Sequence, residues 1–268
     1  MSRTRRRQDP RVPAVLLIPA ALGVAILVLP MVGLVLRAPW GGLPSILTSD
    51  EVLTALRLSL VTATVSTGVA LVCGVPVAWL LARTRLPGRS VLRGLVTVPL
   101  VLPPVVGGVA LLMVFGRRGL VGGWLHDTFG ISLPFTTEAV VLAQVFVAMP
   151  FLIVAVEGAL RTADRRYEDV AATLGATSWT TFRRVTLPGV APGVLAGAVL
   201  CWARALGEFG ATVTFAGSFP GTTRTLPLEA YVAINAGDTE VAIVLSLLMI
   251  AVSVTILVGL RDRWIGTS

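Results

Sequence analysis

The sequence predicts an all-α integral membrane protein in which six helices cross the bilayer as one bundle. Three observations predict it. Of the 268 residues, 55% are hydrophobic and only 13% are charged, which is more apolar surface than a water-soluble domain can hide. The apolar residues gather in charge-poor stretches close to or above the roughly 20 residues that cross a hydrocarbon core as a helix. The arginines sort by side: sixteen fall in tails and connections on one face of the membrane and four on the other.

The first stretch covers about 12–36 and follows a basic tail at 1–11 that holds Arg3, Arg5, Arg6, Arg7 and Arg11. It is too long for a signal-peptide core and lacks a small-residue cleavage site near its end, so it reads as an uncleaved first span. The second covers about 58–82. Thr48-Ser49-Asp50-Glu51 before it has the spacing of a capping box, which would start the helix ahead of the membrane. The third, about 94–115, carries Pro99, Pro103, Pro104, Gly107 and Gly108. Such helix breaks either shape packing alone or mark a broken helix that lines a path. The fourth covers about 139–160, with Glu157 near its end. The fifth, about 189–217, is interrupted by Arg204 and Glu208. The sixth covers about 241–260 and leaves a C-tail at 261–268.

The sidedness follows from the connections. Arg83, Arg85, Arg89 and Arg93 lie between spans two and three. Arg161, Arg165, Arg166, Arg183 and Arg184 lie between four and five, and Arg261 and Arg263 in the C-tail. Arg37, Arg117, Arg118 and Arg224 lie opposite. The positive-inside rule then puts both termini in the cytoplasm, and an even number of spans agrees.

Composition also excludes classes. All 22 basic residues are arginine. A phosphate-binding P-loop needs a lysine to reach the β- and γ-phosphates, so any ATP chemistry must sit on another subunit. The net charge of +8 follows membrane topology and does not indicate nucleic acid. Cys73 and Cys201 lie inside apolar stretches and read as packing residues. With His126 as the single histidine and no G-x-S-x-G, neither a zinc protease nor an ordinary serine hydrolase is supported, and no metal site is expected. No internal repeat is evident, so an inverted-repeat transporter is not favoured.

The connection at about 161–188 is unusually long. It contains a short helix with Ala171 and Ala172 on it. Gly175 suits a helix C-cap and Ser178 the N-cap of a second short helix, and Leu187-Pro188 leads into span five. Such a helix, flanked by arginines, either docks in a groove on a partner or stands in solvent. Aligned on Gly175, the stretch has Asp169-Val170-Ala171 where the coupling loop of ABC importer permeases reads Glu-Ala-Ala. Val185-Thr186-Leu187-Pro188 falls where that loop reads Ile-x-Leu-Pro, after the same nine-residue gap. The departures are Asp for Glu, Val for Ala and Val for Ile, with Glu168 next door. Span two ends Gly74-Val75-Pro76-Val77-Ala78 through Ala82-Arg83, which is similar to the G-x-P-x-A-x-x-x-A-R ending of the same domain. The resemblance to the type I ABC importer permeases covers about 52–260. It implies that Glu168, Asp169, Ala171, Ala172, Gly175, Val185, Leu187 and Pro188 meet an ATPase subunit and pass its motion to the membrane helices.

A second stretch narrows the resemblance. Ala203-Arg204 through Gly207-Glu208-Phe209-Gly210, followed by Ala211-Thr212-Val213-Thr214-Phe215, resembles the tetrahedral-oxyanion permeases, and the molybdate branch more than the sulfate or tungstate ones. The Pro99-to-Pro104 run agrees. Arg204 and Glu208, spaced i, i+4, are close enough to pair on one helix face. The pair either locks span five structurally or sets the potential along an anion path, with Gly207, Gly210 and Thr212 beside it. The resemblance implies a homodimer in the bacterial plasma membrane, with the path at its interface and two cytoplasmic ATPases that use ATP and Mg. It also implies an extracytoplasmic oxyanion-binding protein. The chain itself would bind no cofactor and catalyse nothing. The rival classes are the same machine carrying sulfate or tungstate, an ion-gradient-driven secondary transporter, and a membrane-embedded enzyme.

Overall fold

The computed structural model describes residues 14–84 and 86–265. The basic tail expected at 1–11 and Arg85 lie outside these residues. Helix α1 (Ala14–Leu36) carries none of its described side chains buried and touches the rest through the last helix. A short α2 (Leu43–Leu47) then leads into α3 (Asp50–Arg83). The α3 start falls where the sequence suggests, but no capping box forms. Ser49 is the N-cap without a side-chain bond into the helix, because its hydroxyl donates backward to the Ile46 carbonyl and that of Thr48 to the Pro44 carbonyl.

The third apolar stretch is two helices, α4 (Arg89–Val101) and α5 (Pro104–Phe115), bent by 117°. The break falls at Leu102-Pro103-Pro104; Pro99 sits inside α4 and Gly107 inside α5. Pro104 is tolerated as the first helical residue because the N–H it lacks would have no partner there. After α6 (Leu120–Phe129) comes α7 (Thr137–Thr162). The Thr136 hydroxyl caps α7 by accepting the Ala139 N–H at 3.2 Å.

The connection after α7 folds as α8 (Arg166–Thr173), α9 (Ser178–Thr181), a π-helical turn (Phe182–Thr186) and α10 (Leu187–Gly189). Span five follows as α11 (Ala191–Leu206) and α12 (Gly210–Phe215), then α13 (Leu226–Asn235) and α14 (Thr239–Ile265). Among the described residues, four helices are long and apolar enough to cross a membrane singly: α1, α3, α7 and α14. The count reaches six when α4–α5 and the bent run from Ser178 through Leu206 are each taken as one crossing.

The centre of the bundle is α3, α7 and α11. Small residues let these backbones approach, as helix packing in lipid requires. Gly74 of α3 faces Leu152 and Ile153 of α7, and Gly197 of α11 faces Leu152 and Ala155. Between α3 and α7 lies a buried polar cluster. Gln144 donates from Nε2 to Thr62 Oγ1 at 3.1 Å and accepts from Ser66 Oγ at 2.9 Å, while Ser59 Oγ accepts the Leu226 N–H at 2.7 Å. Each of these groups would be costly unpaired in hydrocarbon, so the cluster sets the register of α3 on α7 and seats the start of α13.

Candidate functional site

Two regions gather the residues singled out by sequence. The first is the break in span five. Gly207 ends α11, and Glu208 stands in the gap before α12. The ion pair with Arg204 therefore forms across a helix end and not along a continuous helix face, because the backbone leaves helical geometry at Gly207 (φ −86°, ψ 9°). Glu208 is fully buried. Its Oε1 accepts the Ala211 N–H at 2.8 Å, and its Oε2 meets Arg204 Nη2 at 2.6 Å. The carboxylate thus satisfies a backbone donor that the interruption sets free and takes the arginine as its counter-charge. The Arg204 side chain remains 26% exposed. Thr212, also buried, has a hydroxyl with no partner among the described residues.

The break in span three packs against the break in span five. A Cβ on Gly210 would lie 2.9 Å from Pro104 Cβ and 3.2 Å from the Val105 nitrogen. One on Gly108 would lie 2.7 Å from Thr214 Cβ and 2.9 Å from the Ala211 carbonyl oxygen, and one on Gly107 would meet the Phe146 ring at 2.9 Å. Pro103, Pro104, Gly107, Glu208, Gly210 and Thr212 thus belong to one junction of α5, α7 and α12, while Pro99 stands apart in α4. We expect Gly108→Ala to lower the thermal midpoint of the solubilised protein, since the overlap is with backbone and costs about 1–3 kcal/mol. A midpoint equal to wild type would mean that α5 and α12 separate without penalty.

The second region is the connection between spans four and five. Helix α8 ends in a Schellman motif: the Gly175 N–H donates to the Ala172 carbonyl and the Ala176 N–H to the Ala171 carbonyl, with Gly175 at φ +82°. A Cβ there would meet nothing within 4 Å, so Gly175→Ala carries only the left-handed backbone penalty of roughly 1–2 kcal/mol. Gly175→Asn should recover part of it, measured as thermal midpoints side by side. The second short helix is capped one residue earlier than Ser178. Thr177 Oγ1 accepts the Thr180 N–H at 3.2 Å, and Ser178 is the first helical residue.

The two adjacent acids point in different directions. Glu168 Oε1 meets Arg83 Nη2, at the end of α3, at 3.1 Å and accepts the Thr186 hydroxyl of the π turn at 3.0 Å. Arg83 is nearly enclosed, with its side chain 6% exposed. Arg165 Nη2 adds a donation to the Ala82 carbonyl at 3.1 Å. Asp169 is exposed, and its side chain makes no bond among the described residues. Ala172, Gly175 and Pro188 are exposed, whereas Ala171, Val185 and Leu187 are half-buried. Tyr167, Val170 and Leu174 are large apolar residues exposed on α8 or at its end, with exposed Trp179 stacked on Phe182 and Phe182 edge-on to Trp79 of α3. The surface is apolar with an acid on it, and its inner side is bolted to α3 and to the run into α11. Sequence reasoning passed over Thr186 and the exposed apolar set. Four large apolar residues in a polar connection were the available signal.

Residues 74–266 match the family of binding-protein-dependent transport system inner membrane components. The molybdenum transport system permease protein ModB of Mycobacterium tuberculosis is 51% identical over 253 residues, covering 93% of this chain and 94% of that one. The sulfate transport system permease protein CysT of Escherichia coli is 33% identical, covering 88% and 86%. Among solved structures, a bacterial alginate ABC transporter in complex with an alginate pentasaccharide-bound periplasmic protein contains a chain that superimposes with a TM-score of 0.72. Its identity is 17% and the coverage is 93% of both chains. The chain therefore belongs to the inner-membrane permease components of binding-protein-dependent transport systems, a multi-pass family with the type I ABC importer fold.

Proposed function

We propose that this chain is the permease subunit of an ABC importer for molybdate in the bacterial plasma membrane. The observation that carries the class is the junction of two broken spans at Pro104 and Gly210, joined through α11 to a surface connection that is apolar outside and bolted to α3 inside. Irregular backbone at membrane depth is tolerated where it is buried in protein or lines a cavity, and a broken helix can move as two pieces. The substrate is carried by the 51% identity to a molybdenum permease over nearly the full length of both chains, against 33% to a sulfate permease.

In this reading both termini are cytoplasmic, and two copies form the path at their interface. Arg204 stands at the span-five break as its positive charge, with Gly207, Glu208, Gly210 and Thr212 around it. Helix α8 and the turn after it, with Asp169, Ala171, Ala172, Gly175, Val185, Leu187 and Pro188, meet a separate ATPase that uses ATP and Mg. Support for that division comes from the lysine-free sequence, which cannot form a P-loop. An extracytoplasmic binding protein delivers the oxyanion, as the alginate system's periplasmic protein sits on its transporter. Coupling to ATP is needed because each charge moved against ~100 mV costs about 2.3 kcal/mol and a dianion about twice that.

Labelled molybdate uptake, measured in cells lacking the gene and in cells given it back, tests the reading. Restored uptake that tungstate blocks and sulfate does not is the expected result. Sulfate uptake that depends on the gene, with molybdate uptake unchanged, would keep the class and replace the substrate. An ion-gradient-driven transporter would keep working after removal of Glu168–Gly175.

A further inference from the structure

Glu157, in the last turns of α7, collects three guanidiniums on one carboxylate oxygen. Arg93 reaches its Oε1 through Nη2 at 2.5 Å and Nε at 3.2 Å, Arg161 through Nη2 at 2.8 Å, and Arg89 stands at 4.0 Å. Among the described residues, no second carboxylate forms an ion pair with any of the three. The cluster therefore holds one negative charge against three positive ones, gathered between the start of α4 and the end of α7. Glu157 is buried, whereas the arginines are each a third to a half exposed. Guanidiniums held this close repel one another, and the surplus of two positive charges attracts an anion.

Two observations say what kind. Among the described residues, the buried Nε of Arg89 has no hydrogen-bond partner, so one guanidinium edge has a donor unused. The large exposed side chains of α4 next to the cluster are apolar: Val91, Leu92 and Leu95, with the small Ser90 and Gly94 between them. In a bundle that spans a bilayer such a face lies against acyl chains, and the arginines at its rim stand at the level of the headgroups. Planar guanidinium forks match the oxygens of a phosphate. Basic clefts between helices on the arginine-rich side of a membrane suit anionic headgroups.

We propose that Arg89, Arg93 and Arg161 form a cleft between α4 and α7 that binds the phosphate of an anionic lipid. The bound lipid completes the charge balance around Glu157 and ties the first half of broken span three to α7. The inference rests on the bundle spanning the membrane and is independent of the substrate assigned to it.

The test is native mass spectrometry of the full-length chain from micelles holding phosphatidylglycerol and phosphatidylcholine in equal amounts. Wild type should retain phosphatidylglycerol selectively. The double variant Arg89→Gln, Arg161→Gln leaves Arg93 and Glu157 as a balanced pair, so it should stay folded by thermal midpoint yet lose roughly tenfold in phosphatidylglycerol affinity. Arg183→Gln with Arg184→Gln, a basic pair elsewhere on the cytoplasmic connection, should retain the lipid. If the double variant fails to insert, the single variant Arg161→Gln, at the most exposed of the three, carries the same comparison. Equal retention by wild type and the cleft variant would overturn the site. Displacement of the lipid by millimolar inorganic phosphate or molybdate would assign the cleft to a free tetrahedral oxyanion and overturn the lipid assignment.

Discussion

Arg204→Ala is expected to reduce molybdate uptake to background in a protein that still inserts. Glu208 has no exposure to solvent, and its two oxygens are used by Arg204 and by the Ala211 N–H. Removing the arginine leaves a buried, uncompensated carboxylate, a change that costs about 3–5 kcal/mol where one partner of a buried pair is lost. The break between α11 and α12 would rearrange, and with it the contact of Gly210 on Pro104. A second variant separates a structural lock from an electrostatic role. Arg204→Ala combined with Glu208→Gln removes both charges while the amide oxygen still accepts the Ala211 N–H. It should recover the thermal midpoint without recovering uptake if the positive charge acts on the anion. Recovery of both would reduce the pair to a lock, and normal uptake by Arg204→Ala alone would make it dispensable.

Glu168→Gln should uncouple transport from ATP hydrolysis. The carboxylate is shared by Arg83 at the end of α3 and Thr186 in the π turn, so it joins α8 to one bundle helix and to the turn that leads into α11. Without the negative charge Arg83 is left nearly enclosed with no carboxylate to pair with, and on the proposed coupling role motion of α8 should no longer carry α3 and α11 with it. Uptake into proteoliposomes holding the full transporter should fall roughly tenfold or more. ATP hydrolysis should continue, so the number of ATP consumed per molybdate rises. Asp169→Asn offers the contrast. Its side chain is exposed and unbonded, so the thermal midpoint should stay unchanged, and any loss of uptake should come with loss of ATPase association. An unchanged ATP-to-molybdate ratio in Glu168→Gln would show that motion reaches the bundle by another route.

Much of the connection between α7 and α11 was readable in one dimension because its features are local. A left-handed glycine after a short helix and a Leu-Pro entry to the next span are patterns of neighbouring residues, and the Schellman bonds at Gly175 and the α10 start follow them. Ser178 missed by one residue because serine is the better N-cap by type, and only backbone geometry selects Thr177. The paired acids were ambiguous for a similar reason. Glu168 and Asp169 differ by one position on α8, which rotates one toward Arg83 and the other to solvent.

By itself the sequence determined that the chain spans a membrane and roughly where. It also located the arginine-rich connections, among them the long one at about 161–188 with its short helix. Hydrophobic length, charge sorting and motif spacing are sums along the chain, and lipid makes them decisive. Only the tertiary structure decided that spans three and five are broken and that Pro104 seats on Gly210. It alone assigned Gln144, Thr62 and Ser66 to one buried network and gathered three arginines on Glu157. The physical reason is the solvent. Lipid is as apolar as the interior, so α3 and α7 carry no hydrophobic face to announce which side meets a neighbour. That choice is made by small residues, buried hydrogen bonds and ion pairs between segments far apart in the chain.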